Sequence, residues 1–186
     1  SRPDVATADL EYHVQPLSLD AFGEPLHDFP AITASVCHLR PESRGEVRLA
    51  SSNPLDAPLI SPNFLSSKGD RLVAKDAINL TRKIMAQPAL QQYQPKEYKP
   101  GPQAQTDRDL IQAAGDIGTT IFHPTSSVRM GKDATAPLTE KLQLRGIEGL
   151  RVVDASAMPC ITSGNTNAPT MMIAEKAADL ILNCGK

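Results

Sequence analysis

A histidine followed by a proline and a run of hydroxyl side chains is the part of this sequence best suited to moving a proton. His123 lies in Phe122-His123-Pro124-Thr125-Ser126-Ser127-Val128-Arg129-Met130-Gly131. A free imidazole titrates near pH ~6.5, so its neutral form can take the proton of a hydroxyl within hydrogen-bond reach, worth roughly 10²–10⁴ in rate. Pro124 favours extended backbone at His123, which helps fix where the ring points. Further on, Ser163-Gly164-Asn165-Thr166-Asn167 has the composition of a turn. The amide of Asn165 can donate and accept hydrogen bonds but cannot serve as a base. Thr166 and Asn167 stand just before the last helical stretch, and Asn167 reads as an N-cap. The positive end of that helix, with its free N–H groups, suits negative charge. Asp154 and Ala155 follow the apolar Val152-Val153 as a strand end running into a loop. Phe122 reads equally as a core aromatic or as a substrate contact. A Ser-His-Asp hydrolase set can be drawn from Ser126 or Ser127, His123 and Asp154. No G-x-S-x-G elbow occurs, however, and both serines lie too near His123 in sequence.

The segment Gly149-Leu150-Arg151-Val152-Val153-Asp154-Ala155-Ser156-Ala157-Met158-Pro159 continues through Ser163-Gly164-Asn165-Thr166-Asn167-Ala168-Pro169-Thr170 into an apolar stretch. Together with the His123 segment it resembles the C-terminal signature of the glucose–methanol–choline (GMC) oxidoreductases. That family's first motif runs H-P-x-G-T-x-R/K-M-G. Its second runs G-L-R-V-V-D-A-S-x-M-P, then S-G-N-T-N-A-P-T-M-M-I-A-E-K-A-A-D-L-I. The upstream Leu39-Arg40-Pro41-Glu42-Ser43-Arg44-Gly45-Glu46-Val47 is similar to the family's approach to its substrate domain. The likeness runs from about Ala31 onward. Two positions depart from it: Ser126-Ser127 replace the Gly-Thr, and Thr139 stands where an Asp is often found.

The resemblance implies a flavoenzyme that oxidises an alcohol CH–OH to a carbonyl by hydride transfer to FAD. It makes His123 the proton acceptor and Asn165, at the position of a second His or an Asn, the residue that holds the substrate oxygen. Asn165, Thr166 and Asn167 are implied to face the flavin's pyrimidine side, and Asp154 and Ala155 its phosphate and ribityl chain. Phe122 is implied to touch substrate. A cyanohydrin lyase on the same scaffold is an alternative, as is an isolated structural domain that is inactive without the family's N-terminal FAD-binding half. The G-x-G-x-x-G fingerprint that binds the FAD pyrophosphate at a helix N-terminus is absent from this sequence. The chain alone is therefore expected to hold FAD weakly or not at all.

The elements that must position these residues follow from patterning. Leu10 to Val14 and Ala31 to Arg40 read as strands, Glu46 to Ala50 as a half-buried strand, and Leu59-Ile60 as its partner. Lys68 to Gln87 is the longest helical pattern, ended or kinked by Pro88. Gln91 to Gln105 is a polar loop, and Thr106 caps a helix ending near Gly115. Leu142 to Leu144 and Leu150 to Val153 read as two strands around Gly146 and Gly149, and the last helix spans about Ala168 to Asn183. The class is α+β, α/β in the full enzyme. The resemblance implies that residues 1–140 belong to the substrate-binding domain, an antiparallel sheet with flanking helices, and that 141–186 complete the FAD-binding domain.

Composition narrows the partners. A net charge of −2 draws neither nucleic acid nor an anionic membrane, and 4% aromatics without Trp leave no stacking platform for single strands. No apolar run reaches the ~18 residues of a membrane helix. His13, His27, His38 and His123 show no metal-ligand spacing, so no metal is expected. Cys37, Cys160 and Cys184 read as free thiols in a reducing, cytoplasmic setting. The chain opens at Ser1 with no Met and no signal-peptide pattern, as a piece of a longer protein does. The expected partners are a small-molecule alcohol and the N-terminal FAD-binding half.

Overall fold

The β-favouring residues on either side of the Pro-spotted opening stretch pair with one another. β1 (Leu10–Gln15) and β2 (Thr33–His38) run antiparallel, with Leu10 opposite His38, Glu11 opposite Cys37 and His13 opposite Ser35. Successive side chains point to opposite faces of such a ribbon. The face carrying Tyr12 meets the first helix, α1 (Lys68–Met85), where the Tyr12 hydroxyl lies 3.1 Å from Thr81 Oγ1. The computed structural model describes residues 1–183, so Cys184 lies outside the described residues.

Ser67 caps α1 by accepting the Asp70 N–H at 2.9 Å, and Arg82 and Lys83 complement the helix dipole at its other end. Pro88 opens a separate short helix, α2 (Pro88–Gln91). The buried stripe of α1 is Asp70, Val73 and Ala77, at three- and four-residue spacing, which explains why its larger apolar residues follow no single line. Asp70 is only 4% exposed. Its two carboxylate oxygens accept the backbone N–H groups of Glu42 and Ser43, each at 2.8 Å, which pins the Pro41–Arg44 turn to the start of α1. Burial pushes this carboxyl up, but the bonds from Ser43 and Glu42, with His38 alongside, outweigh burial and hold it below the usual carboxylate range.

The polar loop after α2 is tied down by Arg82. Its guanidinium donates to Glu97 at 2.9 and 2.8 Å and to the Ala104 carbonyl at 2.9 Å. Thr106 and Asp109 form a reciprocal capping box for α3 (Asp107–Ile117). That helix passes Gly115 because the Gly118 N–H still closes onto Ala114 O at 3.0 Å.

The chain divides into two compact units. The first, Ser1–Arg44 with Phe64–Thr119, holds the elements described so far. The second comprises Gly45–Asn63 and the residues from Thr120 on. Here β3 (Glu46–Arg48) pairs antiparallel with β4 (Leu59–Ser61). The core gathers Leu138, Leu142, Ala157 and Met158 against Ile173 and Ala177 of α4 (Asn167–Leu182). The N–H groups of Val128 and Met130 donate to Ser156 and Ala157 carbonyls at 3.1 and 2.9 Å, so the stretch after His123 lies along a single 3-10 turn, Ala155–Ala157.

The two strands expected at 142–144 and 150–153 do not form. Only isolated bridges, Gln143 to Arg151 and Leu138 to Leu144, stand there. Leu142 at φ 60° leaves β space, so pairing of the two segments goes no further than the Gln143–Arg151 bridge, while Gly146 and Gly149 at φ 81° and 75° make the turn between them. The class is nonetheless α+β, as expected.

Replacing Asp70 by Asn keeps the shape but sets an amide N–H against a backbone N–H. Urea unfolding of Asp70→Asn is expected to show a loss of about 2–3 kcal/mol. Because the native pKa is depressed, the Asp70 contribution is complete above the unfolded value of about 3.9 and disappears as pH falls towards the native one. The gap between wild type and variant should therefore close in acid; a gap independent of pH would contradict this assignment.

Candidate functional site

The imidazole of His123 is held at both nitrogens by consecutive residues. Nε2 lies 3.0 Å from Asn165 Oδ1, and Nδ1 lies 2.8 Å from Thr166 Oγ1. An amide oxygen only accepts, so Nε2 carries a proton in this arrangement. The Thr166 hydroxyl then donates to Nδ1 of a neutral ring, or accepts from a protonated one. Rotation of the Asn165 amide would instead offer an N–H to Nε2. The row Thr166–His123–Asn165 thus accommodates both protonation states of the ring, as a group that takes and returns a proton requires.

Local structure on both sides serves this contact. Thr166 is the N-cap residue of α4 and is 7% exposed, yet its side chain makes no capping bond, because its hydroxyl is directed to His123. The first turn of α4 therefore keeps N–H groups that no cap side chain covers. Asn167, expected as the cap, is instead the first helical residue. On the histidine side, Phe122 sits at φ 63°, an uncommon conformation for a bulky residue, with its N–H on Thr120 Oγ1 at 3.0 Å. Such strain persists where the surroundings impose it. Phe122 is 63% exposed, so it is no core residue of the second unit.

Asp154 accepts the N–H of Ser156 at 2.8 Å and also its hydroxyl, capping the Ala155–Ala157 turn. Ala155 is half-buried beside the core, and its carbonyl lies 3.4 Å from Ser126 N. Both ring nitrogens of His123 are engaged by Thr166 and Asn165, and Asp154 is engaged by Ser156, so the Ser-His-Asp hydrolase arrangement is not assembled. Thr166, expected to face a flavin, has its hydroxyl on the histidine. Nothing in a Thr beside an Asn marks that role in sequence. The structure brings His123, Asn165 and Thr166 together, with Asn167 next along α4.

A family model described as GMC oxidoreductase matches residues 41–174, most of the chain. The chain belongs to the GMC oxidoreductase family. Its relatives include an oxygen-dependent choline dehydrogenase of Vibrio vulnificus, 42% identical over 98% of this chain and 33% of the relative. An alcohol dehydrogenase (acceptor) of Pseudomonas putida is 39% identical over the same two shares, 98% and 33%. The chain therefore spans about a third of the length of the curated relatives it matches. Among solved structures, pyridoxine 4-oxidase from Mesorbium loti superposes with a TM-score of 0.78 at 29% identity, over 88% of this chain and 31% of that one. A formate oxidase of Aspergillus oryzae gives 0.76 at 27% identity, over 87% and 29%. No helix among the described residues is long and apolar enough to cross a membrane.

The GMC signature explains one departure in this sequence. Ser126 stands where the GMC motif carries Gly, and its φ is 69°. A left-handed residue other than Gly costs roughly 1–2 kcal/mol, partly offset by the extra freedom a Gly has when unfolded. Ser126→Gly is expected to raise unfolding stability by about 0.5–1 kcal/mol in a denaturant series. A destabilised variant would show that Ser126 makes a compensating contact.

Proposed function

We propose that this chain is the C-terminal part of a flavoenzyme that oxidises a small alcohol to a carbonyl, with His123 as the proton acceptor. The observation that carries this reading is the Thr166–His123–Asn165 row. With the Asn165 amide rotated and the neutral ring carrying its proton on Nδ1 towards Thr166, a hydroxyl entering between His123 and Asn165 donates to Nε2 while its oxygen accepts from the Asn165 amide N–H, so the pair both orients the oxygen and removes its proton. Thr166 Oγ1 accepts the Nδ1–H hydrogen bond both before and after the transfer, which steadies the ring as it becomes cationic and keeps it from turning. The names of the relatives, choline and alcohol dehydrogenases, put alcohols of the choline kind first among substrates to try.

The donors present fit a flavin. The first turn of α4 offers N–H groups without a capping side chain, a suitable setting for negative charge. Asn165, Thr166 and Asn167 would hold FAD at that end, and Asp154 and Ala155 at the turn beside the core. FAD, when bound, supplies the hydride acceptor. Residues 1–140 serve the substrate side and 141–186 complete the cofactor domain in this reading, with the family's N-terminal half as partner.

In the full-length enzyme His123→Ala should slow anaerobic flavin reduction by an alcohol by about 10²-fold or more. Thr166→Val should slow it by roughly tenfold, the worth of one lost hydrogen bond, and Thr166→Ser should restore it with KM unchanged. Near-normal reduction in His123→Ala would remove the assigned base. Since the sequence holds no dinucleotide fingerprint, the isolated chain is expected to bind FAD more weakly than micromolar. Sub-micromolar binding in a fluorescence titration would show that α4 and the Asp154 turn suffice by themselves.

A further inference from the structure

The face of the β1–β2 ribbon turned away from α1 carries three different metal-ligating side chains. Glu11 and Cys37 are direct cross-strand partners, and His13 lies two residues along β1 on the same face. Their donor atoms all fall within 4.8 Å of one another. Glu11 Oε2 is 3.9 Å from Cys37 Sγ and 3.8 Å from His13 Nε2. In a tetrahedral zinc site with bonds of about 2.0–2.3 Å, neighbouring ligand atoms stand about 3.3–3.6 Å apart. The two Glu11 separations are a few tenths of an ångström from the spacing a bound ion imposes, and His13 and Cys37 lie within 4.8 Å of each other, so side-chain rotation has to draw the set together.

A second observation points to a ligand. Nε2 of His13 is buried and makes no hydrogen bond, because Glu11 Oε2 is beyond hydrogen-bond range. A buried ring nitrogen without a partner is an uncommon expense for a fold, and a coordinated cation satisfies it. Strand pairing fixes the donors in place, since the register sets Glu11 against Cys37.

We propose that Glu11, His13 and Cys37 form a site for a divalent transition-metal ion of the zinc class, with a fourth position open to water. The ion sits across β1 and β2 and staples the ribbon. On binding, Cys37 releases its thiol proton to solvent as the sulfur–metal bond forms, and the ion's two positive charges meet one thiolate and one carboxylate. Burial, with Glu11 beside it, pushes the Cys37 thiol up, so the apo site keeps the proton that the metal displaces. Spacing along the sequence did not disclose this group, because its donors come from two strands. The proposal is independent of alcohol oxidation, for it lies in the first unit and uses none of the residues around His123.

The test is a cobalt(II) titration of the full, reduced, metal-free chain. One equivalent should produce a thiolate-to-cobalt charge-transfer band, which zinc then abolishes by displacement. Cys37→Ser should remove the band, while Cys160→Ser should leave it intact. Glu11→Gln, which keeps the thiol, should weaken binding at least tenfold, as should His13→Ala. Absence of the band in the wild-type chain, or its persistence in Cys37→Ser, would overturn the proposal. Unchanged affinity in both Glu11→Gln and His13→Ala would reduce the site to a lone thiol and overturn it equally.

Discussion

An imidazole has two nitrogens, and in this chain two consecutive residues, Asn165 and Thr166, bond to one each. Much of the second unit is arranged around that constraint. Thr166 can reach Nδ1 only by giving up the cap of α4, so the helix begins with N–H groups that no side chain covers. Phe122, just before His123, and Ser126, three residues after it, both adopt left-handed backbone. Strain of this kind is tolerable where something rigid lies beneath it.

That rigid base is the small core formed by Leu138, Leu142, Ala157, Met158, Ile173 and Ala177. It joins the two halves of the site through different chemistry. The His123 side is tied by backbone bonds from Val128 and Met130 to the Ala155–Ala157 turn. The Asn165 side is carried by α4, anchored through Ile173 and Ala177. Leu138 and Ala157 are wholly buried, so a change in volume at either would be felt at both. The first unit is stabilised differently, by polar clamps: Asp70 on two backbone N–H groups, and Arg82 on Glu97 and Ala104.

The sequence was legible where local chemistry decides the outcome. Thr106 before a helical run and Pro88 after α1 are signals that act within a few residues, and each stands where the sequence puts it. The family resemblance pointed to His123 and Asn165, but not to the way they are held. Whether Thr166 caps its helix or turns to a ring forty-odd positions earlier is a tertiary matter that composition does not carry. The same is true of 142–153, where alternating apolar residues implied two strands. Left-handed backbone at Leu142 breaks the ladder there, and side-chain periodicity does not register backbone handedness. Glu11, His13 and Cys37 were scattered letters until register set them on one face.

The role of His123 depends above all on its ring being gripped through Thr166. Nitrogen-15 NMR of the imidazole side chains at neutral pH tests this directly. Without substrate, a neutral His123 should show a protonated Nε2 and a hydrogen-bonded, unprotonated Nδ1 whose resonance moves when Thr166 is replaced by Val. A ring whose two nitrogens exchange tautomers as freely as in water, and whose shifts ignore that substitution, would show that Thr166 does not hold it.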